Sequence, residues 1–137
     1  MTRIDFYQLR PEGQSFDQVV CQLCQKAYES KKKTLLLTQN EAQSKLLDAK
    51  LWTFADESFV PHDTEEEAGF SSPILIQYNP DPKGDRELLI NLTASVPIYF
   101  AQFDRVIELV TEENKAAARD RYSYYKERGY LLKHVTL

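Results

Sequence analysis

The chain has 137 residues, 42% of them hydrophobic and 28% charged, a balance that suits one domain able to bury most of its apolar surface. Its 17 Lys and Arg against 21 Asp and Glu leave a net charge of −4, which excludes coating of DNA through the overall field. No run approaches the roughly 20 apolar residues of a membrane span, and Met1 to Phe6 lacks the apolar core and cleavage site of a secretory signal, so a cytoplasmic location without membrane contact is expected.

Arg3 to Leu9 alternates as a first strand and Pro11-Glu12-Gly13 ends it. A helix follows from about Ser15 to Ser30, opened by the capping box Ser15-x-x-Gln18 and carrying the apolar stripe Phe16, Val19, Val20, Leu23 and Ala27. The only cysteines, Cys21 and Cys24, lie inside this stripe. A structural zinc takes four ligands, and His62 and His134 stand alone in sequence, so the pair reads as small buried hydrophobes with no metal site. Lys31-Lys32-Lys33 reads as a solvated helix end favoured by the helix dipole. Thr34 to Thr38 is a short apolar run of the kind buried on both faces of a parallel sheet, and the strand-helix-strand order implies a right-handed crossover.

A second helix is expected from about Asn40 to Trp52. Ala42, Leu46 and Ala49 share one face while Leu47 and Leu51 project from another, more apolar surface than one core contact requires. Ala55 to His62 shows no regular period, and Asp63 to Glu67 reads as a solvated loop. Strands are expected at Ile74 to Tyr78 and Glu87 to Leu92, joined through a turn-rich segment as a hairpin or another strand connection. Val96 to Gln102 suggests a short helix beginning at Pro97, and Arg105 to Val110 a further strand. The last helix starts near Thr111 or Glu112 and stops at Gly129, a good residue just past a helix end. The fold class expected is α/β: a single domain over 1–137 with a largely parallel or mixed central sheet flanked by helices.

Residue supply removes several chemistries. Four glycines, Gly13, Gly69, Gly84 and Gly129, make neither G-x-G-x-x-G nor a phosphate-binding loop. There is no G-x-S-x-G elbow, and the Asp56-Glu57 and Glu65-Glu66-Glu67 runs read as solvated charge rather than acid-base pairs. No catalytic residue, metal or cofactor is expected.

Charge is uneven, however. Lys115 to His134 holds six basic residues and two acids, whereas eight acids between Asn40 and Phe70 face only Lys45 and Lys50. Lys115, Arg119, Tyr122 and Lys126 recur at i, i+4, i+7 and i+11, one narrow helical stripe at about 100° per residue. Three cations around one aromatic ring suit an anionic partner that carries an apolar group. The plainer alternative is a solvated face with Tyr122 and Tyr125 as core anchors.

Leu51-Trp52 with Glu57-Ser58-Phe59-Val60-Pro61-His62, Ala118-Arg119-Asp120-Arg121-Tyr122 with Tyr125 and Gly129-Tyr130, and Asp5-Phe6-Tyr7-x-Leu9 together resemble the chi subunit of bacterial DNA polymerase III holoenzyme. The resemblance spans essentially the whole chain. It implies a mononucleotide-binding-like α/β topology without a phosphate-binding loop, in a non-catalytic clamp-loader accessory protein. Its implied partners are the psi subunit, the acidic C-terminal tail of single-stranded DNA-binding protein, and a helicase-like repair protein that shares the psi-facing surface; DNA is contacted only indirectly. The tail site it implies is Lys115, Arg119 and Tyr122 over an apolar floor at Val110; the chain departs from related sequences at Ser123, where they can carry a basic residue, so either tail binding is weaker or Lys126 compensates. The implied psi interface is Trp52, Phe59, Val60 and Pro61. In such a site Arg119 suits the terminal carboxylate, since a guanidinium makes two parallel bonds to it; Lys115 and Lys126 steer the acidic stretch, and Tyr122 packs on the terminal side chain. Two other readings stand beside this one: a small nucleotide-handling or dithiol redox enzyme, and a direct binder of single-stranded DNA.

Overall fold

The computed structural model describes residues 1–10, 12, 15–54, 60–64, 72–78 and 86–137. In chain order these form β1 (Arg3–Gln8), α1 (Phe16–Glu29), β2 (Thr34–Thr38), α2 (Glu41–Thr53), β3 (His62–Asp63), β4 (Ile74–Tyr78), β5 (Leu88–Asn91), β6 (Arg105–Val110), α3 (Lys115–Glu127) and β7 (Leu131–Thr136), with a single 3-10 turn at Phe100–Gln102. The strands make one sheet, ordered β3-β4-β2-β5-β6-β1-β7, and every pair in it is parallel.

Every residue of β2 is buried, as a strand covered on both faces requires. It takes β4 on one side and β5 on the other, so of the two connections expected between Ile74–Tyr78 and the next strand, the hairpin is excluded and the strands are joined across β2. Helices α1 and α2 cover one face of the sheet through Val19, Val20, Leu23, Leu47 and Leu51. Ala118 and Tyr125 of α3, with Phe100 and Phe103, cover the other.

Local signals place the helix ends. Ser15 Oγ accepts a bond from the Gln18 N–H, and Asn40 Oδ1 accepts from the Gln43 N–H at 2.8 Å while Gln43 Oε1 accepts from the Gln39 N–H at 2.8 Å. The lysine triplet does more than solvate a helix end. Lys31 adopts a left-handed φ of 58°, its N–H reaches the Tyr28 carbonyl, and the Lys32 N–H reaches the Ala27 carbonyl, a Schellman closure with lysine where glycine is usual. Lys32 also pairs with Glu87 at 3.2 Å. Gly129, at φ 80°, closes α3 in the same way, with Gly129 N–H to Lys126 O and Tyr130 N–H to Tyr125 O.

Four elements differ from expectation. Helix α3 begins at Lys115 because Thr111 and Asn114 bond reciprocally, side chain to backbone, and Asn114 Nδ2 holds the Leu109 carbonyl, which fixes 111–114 as a turn. The helix expected from Pro97 is reduced to one 3-10 turn, its N–H groups reaching carbonyls three residues back. Two further edge strands, β3 and β7, were not predicted, and β7 mixes exposed and half-buried residues without alternation.

Candidate functional site

Parallel pairing of β1 with both β6 and β7 sets Phe6 opposite His134 and Gln8 opposite Val110. Helix α3 leaves β6 and returns across this corner of the sheet before Gly129 turns the chain into β7. The result is a groove of about 210 Å³ lined by Phe6, Gln8, Val110, Lys115, Ala118, Arg119, Tyr122 and His134. Four of the five residues expected to act together, Val110, Lys115, Arg119 and Tyr122, line it. Lys126 is exposed one helical turn past Tyr122 and is not among the lining residues. Ala118, which lies beside the stripe on the helical wheel, joins them, and Phe6, Gln8 and His134 join the site unannounced.

The walls differ in character. Lys115 and Arg119 are exposed on the helix side, while Val110 and Ala118 are buried and form an apolar floor. Tyr122 is half-buried, its ring edge-on to Phe6 at 5.2 Å between centroids, which fixes its orientation without covering it. Tyr125, by contrast, is wholly buried and is a core anchor.

What sets the helix at this angle is a buried polar cluster. Glu108, 0% exposed on β6, accepts from Arg121 Nε at 3.0 Å, Tyr125 OH at 2.8 Å and Asn91 Nδ2 at 3.0 Å, and Arg121 Nη1 donates to the Ala94 carbonyl. Burial pushes the Glu108 carboxyl above the ordinary carboxylate range, opposed first by the Arg121 guanidinium and then by these bonds. Arg121, 4% exposed and one of the six basic residues between Lys115 and His134, is therefore not part of the surface charge there. Its spacing was the available signal: Ala118, Arg121 and Tyr125 share the buried stripe.

A second crevice opens at the carboxyl ends of β2, β5 and β6, where connections part in opposite directions and α/β folds commonly seat a nucleotide. Much of its polar lining is committed internally, while Glu113 at its rim is exposed. Asn91 Oδ1 accepts from Thr93, Gln39 Nε2 donates to the Leu92 carbonyl, Asn114 is tied to Thr111 and Leu109, and Arg121 is held by Glu108. The cysteines are both free and buried; burial pushes the Cys21 thiol up to about 11 and Cys24 higher still, which suppresses the reactive thiolate. Among the described residues no helix is long and apolar enough to cross a membrane.

On the opposite face, α2 buries Ser44, Leu47 and Leu51 and leaves Leu46 46% and Trp52 59% exposed. The Trp52 ring meets His62 edge-on at 5.3 Å, and His62 in turn contacts Asp48 Oδ1 at 3.0 Å. Of the residues expected at a second interface, Trp52 is on the surface and Pro61 is half-buried. Val60 is a correction: at 1% exposure it packs in the core beneath α1 and α2, because the strand it introduces needs an apolar underside. Phe59 lies outside the described residues.

The family model for DNA polymerase III chi subunit, HolC, matches residues 1–133. The chain is 41% identical over 135 residues to DNA polymerase III subunit chi of Pseudomonas aeruginosa, covering 96% of this chain and 94% of that one. It is 32% identical over 125 residues to the Escherichia coli K12 subunit chi, covering 88% and 84%. The crystal structure of T4 UvsW superposes with a TM-score of 0.66 over 99% of this chain and 41% of that one, at 8% identity, a likeness of fold alone. The chain belongs to the DNA polymerase III chi subunit family, whose members are accessory subunits of the replicative holoenzyme.

Proposed function

We propose that this chain acts as one non-catalytic cytoplasmic domain, bridging the clamp loader, through the psi subunit, to the acidic C-terminal tail of single-stranded DNA-binding protein. The observation that carries the reading is the groove that gathers Lys115, Arg119, Tyr122 and Val110 from two elements into one cleft. A peptide end with acidic residues, an apolar last side chain and a free carboxylate needs those three provisions: a forked cation, further positive field, and an apolar slot flanked by an aromatic ring. Lys126, beyond the groove, steers the acidic residues that precede the end.

The psi-facing surface is assigned to the exposed end of α2 at Trp52, with Pro61 of the following segment, since large apolar groups left in solvent favour a protein interface. A helicase-like repair protein would use the same patch. The enzyme alternative loses support from the internal bonds that hold Asn91, Gln39, Asn114 and Arg121 at the crevice and from the suppressed thiolates.

The test is titration with an acidic peptide ending in free Phe and with its C-terminally amidated form, at two salt concentrations. The free form should bind at least tenfold more tightly, and more so at low salt, as a charge-assisted carboxylate contact requires. Equal affinities would dismiss a carboxylate pocket. Trp52→Ala should abolish psi binding and leave peptide binding intact.

A further inference from the structure

We infer that His134 is a proton-dependent third cation of the groove, so that capture of an acidic peptide end tightens as pH falls from 8 to 6. The inference rests on the peptide-end reading above and adds to it a residue from a strand invisible in the sequence pattern.

The argument is geometric. Strand β7 pairs only with β1, and its side chains alternate; Leu132 packs into the core on the α3 side, which puts His134 and Thr136 on that same side and Lys133 and Val135 on the other. His134 is exposed and lines the groove opposite Lys115 and Arg119. Ionisable groups facing it from α3 are Lys115, Arg119 and Tyr122. Phe6 and Gln8 from β1 and Val110 from β6 bring none, and neither do Leu132 and Thr136 of its own strand. Glu108, also on this side of β6, is sealed against Arg121 and Tyr125. Among the described residues the groove lining holds no carboxylate, so nothing within it competes with an arriving anion for His134.

A bound peptide therefore has cations on the helix wall and a histidine on the sheet wall. Histidine is the side chain that changes charge between pH 5 and 8, and a neighbouring carboxylate favours its protonated form. Binding then takes up a proton from solvent, and by linkage lower pH favours binding while the peptide's own acids, which titrate near pH 4, remain ionised.

The experiment is calorimetric titration of the full chain with the acidic peptide ending in free Phe at pH 8, 7 and 6 and constant ionic strength, in two buffers of different ionisation enthalpy. Affinity should rise roughly two- to fivefold from pH 8 to pH 6, the scale of one exposed ionic contact, with net proton uptake near pH 7. His134→Gln, a surface change on an edge strand, should lose both the rise in affinity between pH 8 and pH 6 and the proton uptake, whatever its affinity at pH 8. Persistence of the pH dependence in His134→Gln, which would move it to His62, or its absence in the wild type, overturns the inference and leaves the groove reading standing. No binding at any pH overturns the groove reading itself.

Discussion

Arg119→Ala is the perturbation that bears most directly on how the groove works. Arg119 is exposed on α3, so its removal leaves the core, the Glu108 cluster and the helix caps untouched, and folding stability should change by less than about 0.5 kcal/mol. In a peptide complex it loses a charge-assisted pair of hydrogen bonds, worth about 1.5–3 kcal/mol. The groove is open to solvent and Lys115 remains one turn away, so the lower part of that range applies, about 1.5–2 kcal/mol, or roughly 10- to 30-fold in Kd. The assay is a double-mutant cycle: wild type and Arg119→Ala, each titrated with the free-carboxylate and amidated peptides. If the guanidinium holds the carboxylate, the two losses overlap and amidation costs little further in the variant. Arg119→Lys should fall between, since an ammonium lacks the fork. Affinity within twofold of wild type in a folded Arg119→Ala, or fully additive losses, would refute the assignment.

Arg121→Ala should destabilise the fold by about 3–5 kcal/mol in urea denaturation, because it strands the buried Glu108 carboxylate; a loss below 1 kcal/mol would mean the cluster matters little. Gly129→Ala should cost about 1 kcal/mol through its left-handed φ alone, as an added Cβ meets nothing within 4 Å, whereas Lys31→Gly should stabilise by several tenths of a kcal/mol at the matching position of α1. Cys21 and Cys24 should resist alkylation at pH 8 until the chain unfolds. Both thiols hold their protons more tightly folded than unfolded, so their contribution to stability is full below about pH 8.5; that of Cys21 is lost as pH rises through about 11 and that of Cys24 at higher pH still, and rapid native alkylation would contradict this.

Features that depend on neighbours in sequence were legible there. Ser15 and Asn40 announced their caps, the unbroken Thr34–Thr38 run announced a doubly covered strand, and Gly129 announced the end of the last helix. Of the helical stripe, Lys115, Arg119 and Tyr122 line one groove, because residues one turn apart share a face whatever the sheet does, while Lys126 lies beyond it. What depends on strand order was not legible. Phe6, Gln8 and His134 reach the groove only because β1 pairs in parallel with both β6 and β7, and β7 carries too little apolar alternation to be recognised as a strand. Arg121 entered only the local charge count, although its position between Ala118 and Tyr125 marks the buried stripe; the missing piece was Glu108, an acid inside an otherwise apolar strand. Val60 misled in the opposite sense, since a motif shared with a family does not say which of its side chains face outward.

The central claim is that one groove on the last helix receives an acidic, free C-terminal peptide end. Its most direct measurement is the change in amide and side-chain NMR signals of the isotopically labelled chain as that peptide is added. The account predicts shifts concentrated at Gln8, Val110, Lys115, Arg119, Tyr122 and His134, with Leu46 and Trp52 on α2 unmoved. Shifts concentrated around α2, or at the crevice formed by Asn91, Thr93 and Asn114, would contradict it.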